Sequence, residues 1–208
     1  MSRIAQKSIE DKNACQTFIN WGHRGASGHQ PENTLISFQT AIAMGADGIE
    51  CDLRESRDGR IIIFHDATLK RIAGLPERID QLTFSEIRKM DAGDGEQIPE
   101  LKALFQKTPP DFILNLEIKA VRPEKLLDMI YRHNAQYRVL ISSFYSEILI
   151  KIRSLDSAIR LGYLVDRKGG NVPCGGNVPC GGNVSCNDAD IFKKANTMKA
   201  QSLHFSKT

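Results

Sequence analysis

Glu50 and Asp52 stand two residues apart in Gly48-Ile49-Glu50-Cys51-Asp52-Leu53, an otherwise apolar run. Alternate side chains of a strand share a face, so the two carboxylates point one way and Cys51 the other. A half-exposed edge strand would explain that pattern without any chemistry. Further polar groups weigh against it: His23-Arg24, His65-Asp66, Glu117-Ile118-Lys119 and Ser142-Ser143 each close or border an apolar segment. Glu50, Asp52 and Glu117 offer hard oxygen donors, which suit Mg²⁺ or Ca²⁺ rather than a thiolate-seeking metal. Arg24 and Lys119 could hold a phosphate, the first through a bidentate fork and the second as a point charge. Imidazole as a side-chain type takes up and releases a proton near neutrality, so His23 and His65 could act as an acid/base pair. A hard cation, two anion-holding side chains and two imidazoles together describe chemistry at a phosphate ester.

These groups need elements that bring them together. Thr17 to Trp21 reads as a short buried strand running into Gly22-His23-Arg24-Gly25. Leu35, Phe38, Ala41 and Ile42 then follow at helical spacing, with Gly45 as a stop. Residues 47–53, 60–66, 111–119, 138–144, 160–165 and 202–206 read as strands. Helices are expected at 122–134, 146–155 and 188–200, and short ones between 67 and 108. Thr83 and Glu86 have the spacing of a capping box, and Pro123 suits a first helical turn. Alternating strands and helices imply a parallel sheet with crossover helices. Continuous apolar runs such as Ile61-Ile62-Ile63-Phe64 suit strands covered on both faces, as in an α/β barrel. In such folds ligands bind at the carboxyl ends of the strands, where the polar groups recur. A buried ring of charges with no ligand would be costly.

The bulk composition is that of one soluble domain, with a polar tail over residues 1–16 and the barrel over 17–208. A net charge of +3 with interspersed signs argues against a nucleic-acid partner. No apolar run has the length of a transmembrane segment, and the first residues lack a secretory core, so a cytoplasmic location is expected.

The stretches 23–34 (HRGASGHQPENT), 45–53 (GADGIECDL), 58–66 (DGRIIIFHD), 114–119 (LNLEIK) and 142–144 (SSF) resemble the glycerophosphodiester phosphodiesterase family of the cytoplasmic bacterial type, in order and in spacing. The resemblance implies a TIM-type (β/α) barrel that hydrolyses small glycerophosphodiesters to glycerol 3-phosphate and an alcohol. It places a divalent cation, Mg²⁺ or Ca²⁺, on Glu50, Asp52 and Glu117, an acid/base pair at His23 and His65, and the phosphate at Arg24 and Lys119. It also implies attack by the glycerol 2-hydroxyl on phosphorus and a cyclic phosphate that water opens. Glu32 has two readings: a residue supporting that site, or a carboxylate favoured near a helix start.

Two features depart from the family. Residues 169–186 read GGNVPC, GGNVPC, GGNVSC, a repeat whose Gly, Asn and Pro predict a surface loop. The strand at 202–206 is the seventh of an eight-strand plan, so the barrel is expected to be incomplete, with an open seam prone to self-association. Alternatives are a non-catalytic remnant or scaffold of the same fold, and a phosphodiesterase acting on lysophospholipids.

Overall fold

The structure is a computed structural model that describes residues 19–166 and the backbone of 202–206. The expected polar tail, the 169–186 repeat loop and the helix at 188–200 lie outside the described residues. Among the described residues, strands β1 (Trp21–His23), β2 (Gly48–Glu55), β3 (Ile61–Ile63), β4 (Ile113–Ala120), β5 (Val139–Ser143), β6 (Arg160–Asp166) and β7 (Ser202–Ser206) form one sheet. Its path runs β1-β2-β4-β5-β6-β7, every neighbouring pair parallel. This is the curled sheet of an α/β barrel, with β1 and β7 unpaired to each other among the described residues.

The β3 strand departs from the expected parallel alternation. It pairs antiparallel with β2, Leu53 opposite Ile63 and Glu55 opposite Ile61. Residues 56–60 alone connect the two strands. A parallel return needs a crossover of roughly a dozen residues or more, so this link can only make a hairpin. Its turn is closed by Ser56, whose Oγ donates to Asp58 Oδ1 at 2.7 Å and accepts from Arg60 N at 2.9 Å. The first strand also starts later than its apolar run suggests, since Ile19 is exposed and pairing begins at Trp21 opposite Gly48.

Helices α1 (Leu35–Ala43), α5 (Pro123–Arg132) and α6 (Ser146–Leu155) are the longest of the described residues. Short helices α2 (Lys70–Ala73), α3 (Phe84–Ile87) and α4 (Leu101–Lys107) fill the 64–108 segment. The Thr83–Glu86 capping box forms, and Pro123 sits in the first turn of α5. Phe38, Leu104, Leu126, Ile130, Leu149 and Ile152 on the helices pack on Cys51, Leu53, Leu116, Ile118 and Ile141 of the strands. β2 and β4 therefore alternate: one face is apolar core, the other carries Glu50, Asp52, Asn115 and Glu117, all buried. The apolar run at 61–64 is divided differently. Ile61 and Ile63 join this main core, while Ile62 and Phe64 join a satellite core with Leu69, Ile79, Ile87 and Ile98. That satellite fixes the segment that follows β3.

Candidate metal centre and its surroundings

Sheet register assembles the acidic cluster. His23 pairs with Glu50 across β1 and β2, Asp52 with Glu117 across β2 and β4, and Glu117 with Ser142 across β4 and β5. Parallel partners share a face at a spacing of about 4.8 Å, so Glu50, Asp52 and Glu117 must converge. One carboxylate oxygen from each lies within 4.8 Å of the others. The three residues are 7%, 0% and 6% exposed, which makes the charge they carry expensive unless something answers it.

The loop after β1 answers part of it. Arg24 and Asn33 both adopt left-handed backbone, with φ of 56° and 59°, and so bend the chain back over the strand ends. The Arg24 N–H donates to Glu50 Oε2 at 3.0 Å. Asn33 Nδ2 donates to Asp52 Oδ2 at 2.9 Å, and Arg24 Nε lies 3.2 Å from the same oxygen. Lys119 Nζ sits 3.3 Å from Asp52 Oδ1 and hydrogen-bonds to Glu117 Oε1. Both cations expected to hold a phosphate thus already lie against the acidic cluster.

Burial pushes the Glu50 carboxyl well above the ordinary range, and the neighbouring Asp52 and Glu117 charges add to it. Burial also raises Glu117, with Lys119 pulling the other way and Asp52 adding to the rise. Burial acts upward on Asp52 too, but Lys119 and Arg24 outweigh it and hold this carboxyl low. Even so, Glu50 Oε1 and Asp52 Oδ1 are buried without a hydrogen bond. Orphaned carboxylate oxygens beside a third carboxylate are what a hard divalent cation would complete, so these residues fit one.

The two histidines reach the centre by different routes. His23 ends β1, its side chain 66% exposed and its Nε2 3.7 Å from Glu50 Oε2. Partial burial, and next the Arg24 cation, lower its pKa. His65 arrives on the hairpin: Phe64 N donates to Asp52 O at 2.8 Å, and Arg54 Nε donates to His65 O at 2.8 Å. Its Nδ1 lies 2.6 Å from Asp66 Oδ1. Because β3 turns back along β2, a strand of the opposite polarity still delivers His65 alongside Asp52.

Glu32 hydrogen-bonds not to helix amides but to Arg24 Nη1 at 3.0 Å and to Arg71 Nη2 at 2.6 Å. Thr34 instead caps α1. Ser142 and Ser143 are buried structural groups, donating to Asn115 Oδ1 at 2.7 Å and to Ile118 O at 3.0 Å. Sequence reasoning missed Asn33 and Arg71 as contributors, and took Asp66 only as part of a polar strand end. Asn33 carried a usable signal, an Asn before a helix cap, where left-handed backbone is tolerated. Arg71 carried none, since its partner Glu32 is 39 residues away.

An α/β-barrel sheet that gathers three buried carboxylates able to hold a metal ion, with two histidines beside them, defines the class of protein. Within that class, the chain belongs to the glycerophosphoryl diester phosphodiesterase family, whose model matches residues 23–169. It is 36% identical over 156 residues to the glycerophosphodiester phosphodiesterase of Caldanaerobacter subterraneus subsp. tengcongensis, covering 68% of this chain and 64% of that one. The chain thus spans just under two thirds of that relative's length. The crystal structure of the Thermotoga maritima glycerophosphodiester phosphodiesterase superposes with a TM-score of 0.71 at 30% identity, over 92% of this chain and 75% of the other. An Oleispira antarctica phosphodiesterase in complex with sn-glycerol 3-phosphate gives 0.72 at 27% identity, over 89% and 73%. No helix among the described residues is long and apolar enough to cross a membrane.

Proposed function

We propose that this chain hydrolyses small glycerophosphodiesters to glycerol 3-phosphate and an alcohol, with Mg²⁺ or Ca²⁺ held by Glu50, Asp52 and Glu117. When bound, the cation supplies Lewis-acid stabilisation of charge developing on the phosphoryl oxygens. Arg24 and Lys119, freed from neutralising the carboxylates by the cation's own charge, bind the remaining phosphate oxygens. The glycerol 2-hydroxyl attacks phosphorus as one imidazole removes its proton. The bond from phosphorus to the departing alcohol breaks, and the other imidazole gives that oxygen a proton. Water then opens the cyclic phosphate with the two roles exchanged. The observation that carries this reading is the convergence of three buried carboxylates, two with orphaned oxygens, beside His23 and an Asp66-bound His65.

The test is glycerol 3-phosphate release from glycerophosphocholine by the purified chain, with Mg²⁺, with Ca²⁺ and with chelator, and with lysophosphatidylcholine as a parallel substrate. Release that needs the cation and disappears in Glu50→Gln supports the proposal. Absence of turnover with either cation, or turnover untouched by chelator, overturns it.

A further inference from the structure

Arg71 lies on α2, a four-residue helix outside the strand–helix alternation. The turn that carries it is pinned at both ends. Leu69 is fully buried in the satellite core and its N–H donates to Glu77 O at 3.0 Å, while Ile79 N donates to Ala67 O at 3.1 Å. The guanidinium is divided between two carboxylates. Nε donates to Asp66 Oδ2 at 2.6 Å, and Nη2 and Nη1 donate to Glu32 Oε1 at 2.6 Å and Oε2 at 3.1 Å. Asp66 presents its other oxygen to His65 Nδ1, and Glu32 holds Arg24, which in turn lies on Asp52. Asp52, Arg24, Glu32, Arg71, Asp66 and His65 therefore form one belt of alternating charge from the acidic cluster to the histidine.

A half-buried pair such as Asp66–His65 would orient little on its own, whereas a bidentate fork within a network fixes geometry. A carboxylate held by a guanidinium can only accept hydrogen bonds. A neutral His65 beside it must carry its proton on Nδ1 and leave the Nε2 lone pair for the site. We propose that Arg71 is a positioning residue for His65: by clamping Asp66 against Glu32 it sets the tautomer and the aim of the imidazole. Its effect on turnover rests on the hydrolytic function proposed above; its effect on the ring does not.

The experiment uses the full chain with Arg71→Ala and Arg71→Lys. With Mg²⁺ saturating, Arg71→Ala is expected to lower kcat for glycerophosphocholine by roughly a hundredfold, the cost of a misaimed catalytic group. Mg²⁺ affinity should stay at the parent value. Added guanidinium ion should restore part of the lost rate to Arg71→Ala and none to the parent, because the Arg71 side chain is 47% exposed and its place open to solute. Nitrogen-15 spectra of the His65 ring in the metal-free protein should show Nδ1–H in the parent and a tautomer mixture in Arg71→Ala. Should that variant not fold, Arg71→Lys, which keeps the charge and loses the fork, is read by the same spectra. An unchanged ring spectrum, or kcat kept within a few fold of a working parent, overturns the proposal. A parent that folds without turnover overturns the hydrolytic function instead, and the ring spectra still decide the role of Arg71.

Discussion

Asn33 and Asp52 hold each other at both ends: the Asn33 carboxamide donates to Asp52 Oδ2 at 2.9 Å, and Asp52 N donates back to Asn33 Oδ1 at 3.4 Å. Asn33 is 3% exposed and has a φ of 59°, so it joins loop to strand from a conformation few residues adopt. Asn33→Ala is expected to lower stability by about 2–3 kcal/mol, from the lost hydrogen bonds of a buried carboxylate and strained backbone together. It should weaken divalent-cation binding by about 10–100-fold, as loss of a ligand-orienting partner does. Asn33→Gly, which relieves the backbone but not the lost hydrogen bonds, should recover part of the stability and none of the affinity. Urea unfolding and calorimetric cation titration of both variants check this; equal affinity in all three proteins would remove Asn33 from the site.

Gly25 is as tightly specified, by space and by backbone. Its φ is +84°, and a Cβ there would stand 2.7 Å from the Ser37 carbonyl carbon and 2.8 Å from Ser37 Cβ. Ser37 is fully buried in α1 and its Oγ donates to Arg24 O at 3.1 Å, so a displaced Gly25 moves Arg24 with it. Gly25→Ala should cost about 2–4 kcal/mol of stability, a clash added to left-handed strain. Thermal melts measure it, and a loss below that of an exposed control such as Gly28→Ala, where a Cβ meets nothing, would contradict the packing argument.

The acidic face of β2 and β4 was legible because polar groups recur at the ends of several apolar segments, which an isolated edge strand does not explain. The bounds of β5, α6 and β7 were legible too, falling within a residue or two of their apolar patterns. The direction of β3 could have been read and was not. Its apolar core looks like any buried strand, and only the five residues before it exclude a parallel return. The belt from Asp52 to His65 was out of reach of the sequence. Arg24, Glu32 and Asp66 stood among its candidate site groups, but nothing in it links them through Arg71, and that pairing depends on how the satellite core places α2.

Stability of the metal-free protein should fall as pH rises above the ordinary glutamate range. Unfolded glutamates titrate near about 4.3, whereas burial and mutual repulsion raise Glu50 and Glu117 in the fold. Between the unfolded and folded values the native state binds more protons, so the slope of stability against pH is negative there. Asp52, Glu32 and Asp66 are lowered; their contributions appear only at lower pH, where stability rises with pH. A divalent cation takes the deprotonated set, so the rise in melting temperature it produces should grow with pH and its uptake should release protons. Melts with chelator and with Ca²⁺ at several pH values, and indicator-monitored binding, test this. A cation-induced shift independent of pH would show that no raised carboxyl is displaced.

His23 and His65 differ in support, one ending a strand with its ring largely exposed, the other tied through Nδ1 to Asp66. His23→Ala and His65→Ala should each lower kcat by roughly two to four orders of magnitude, the contribution of one acid or base. Neither should change cation affinity much, since neither ring is among the clustered oxygen donors. A substrate whose departing group is p-nitrophenol needs no proton on leaving, so it should restore much of the rate to one variant and little to the other. The restored variant names the histidine that protonates the ordinary alcohol; the unrestored one names the histidine that accepts the proton of the glycerol hydroxyl. Restoration of both, or of neither, would mean that the two imidazoles do not divide acid and base between them. Near-parent turnover in either variant with the natural diester would make that histidine a structural neighbour of Glu50 or Asp66 and leave the remaining ring to serve in both directions.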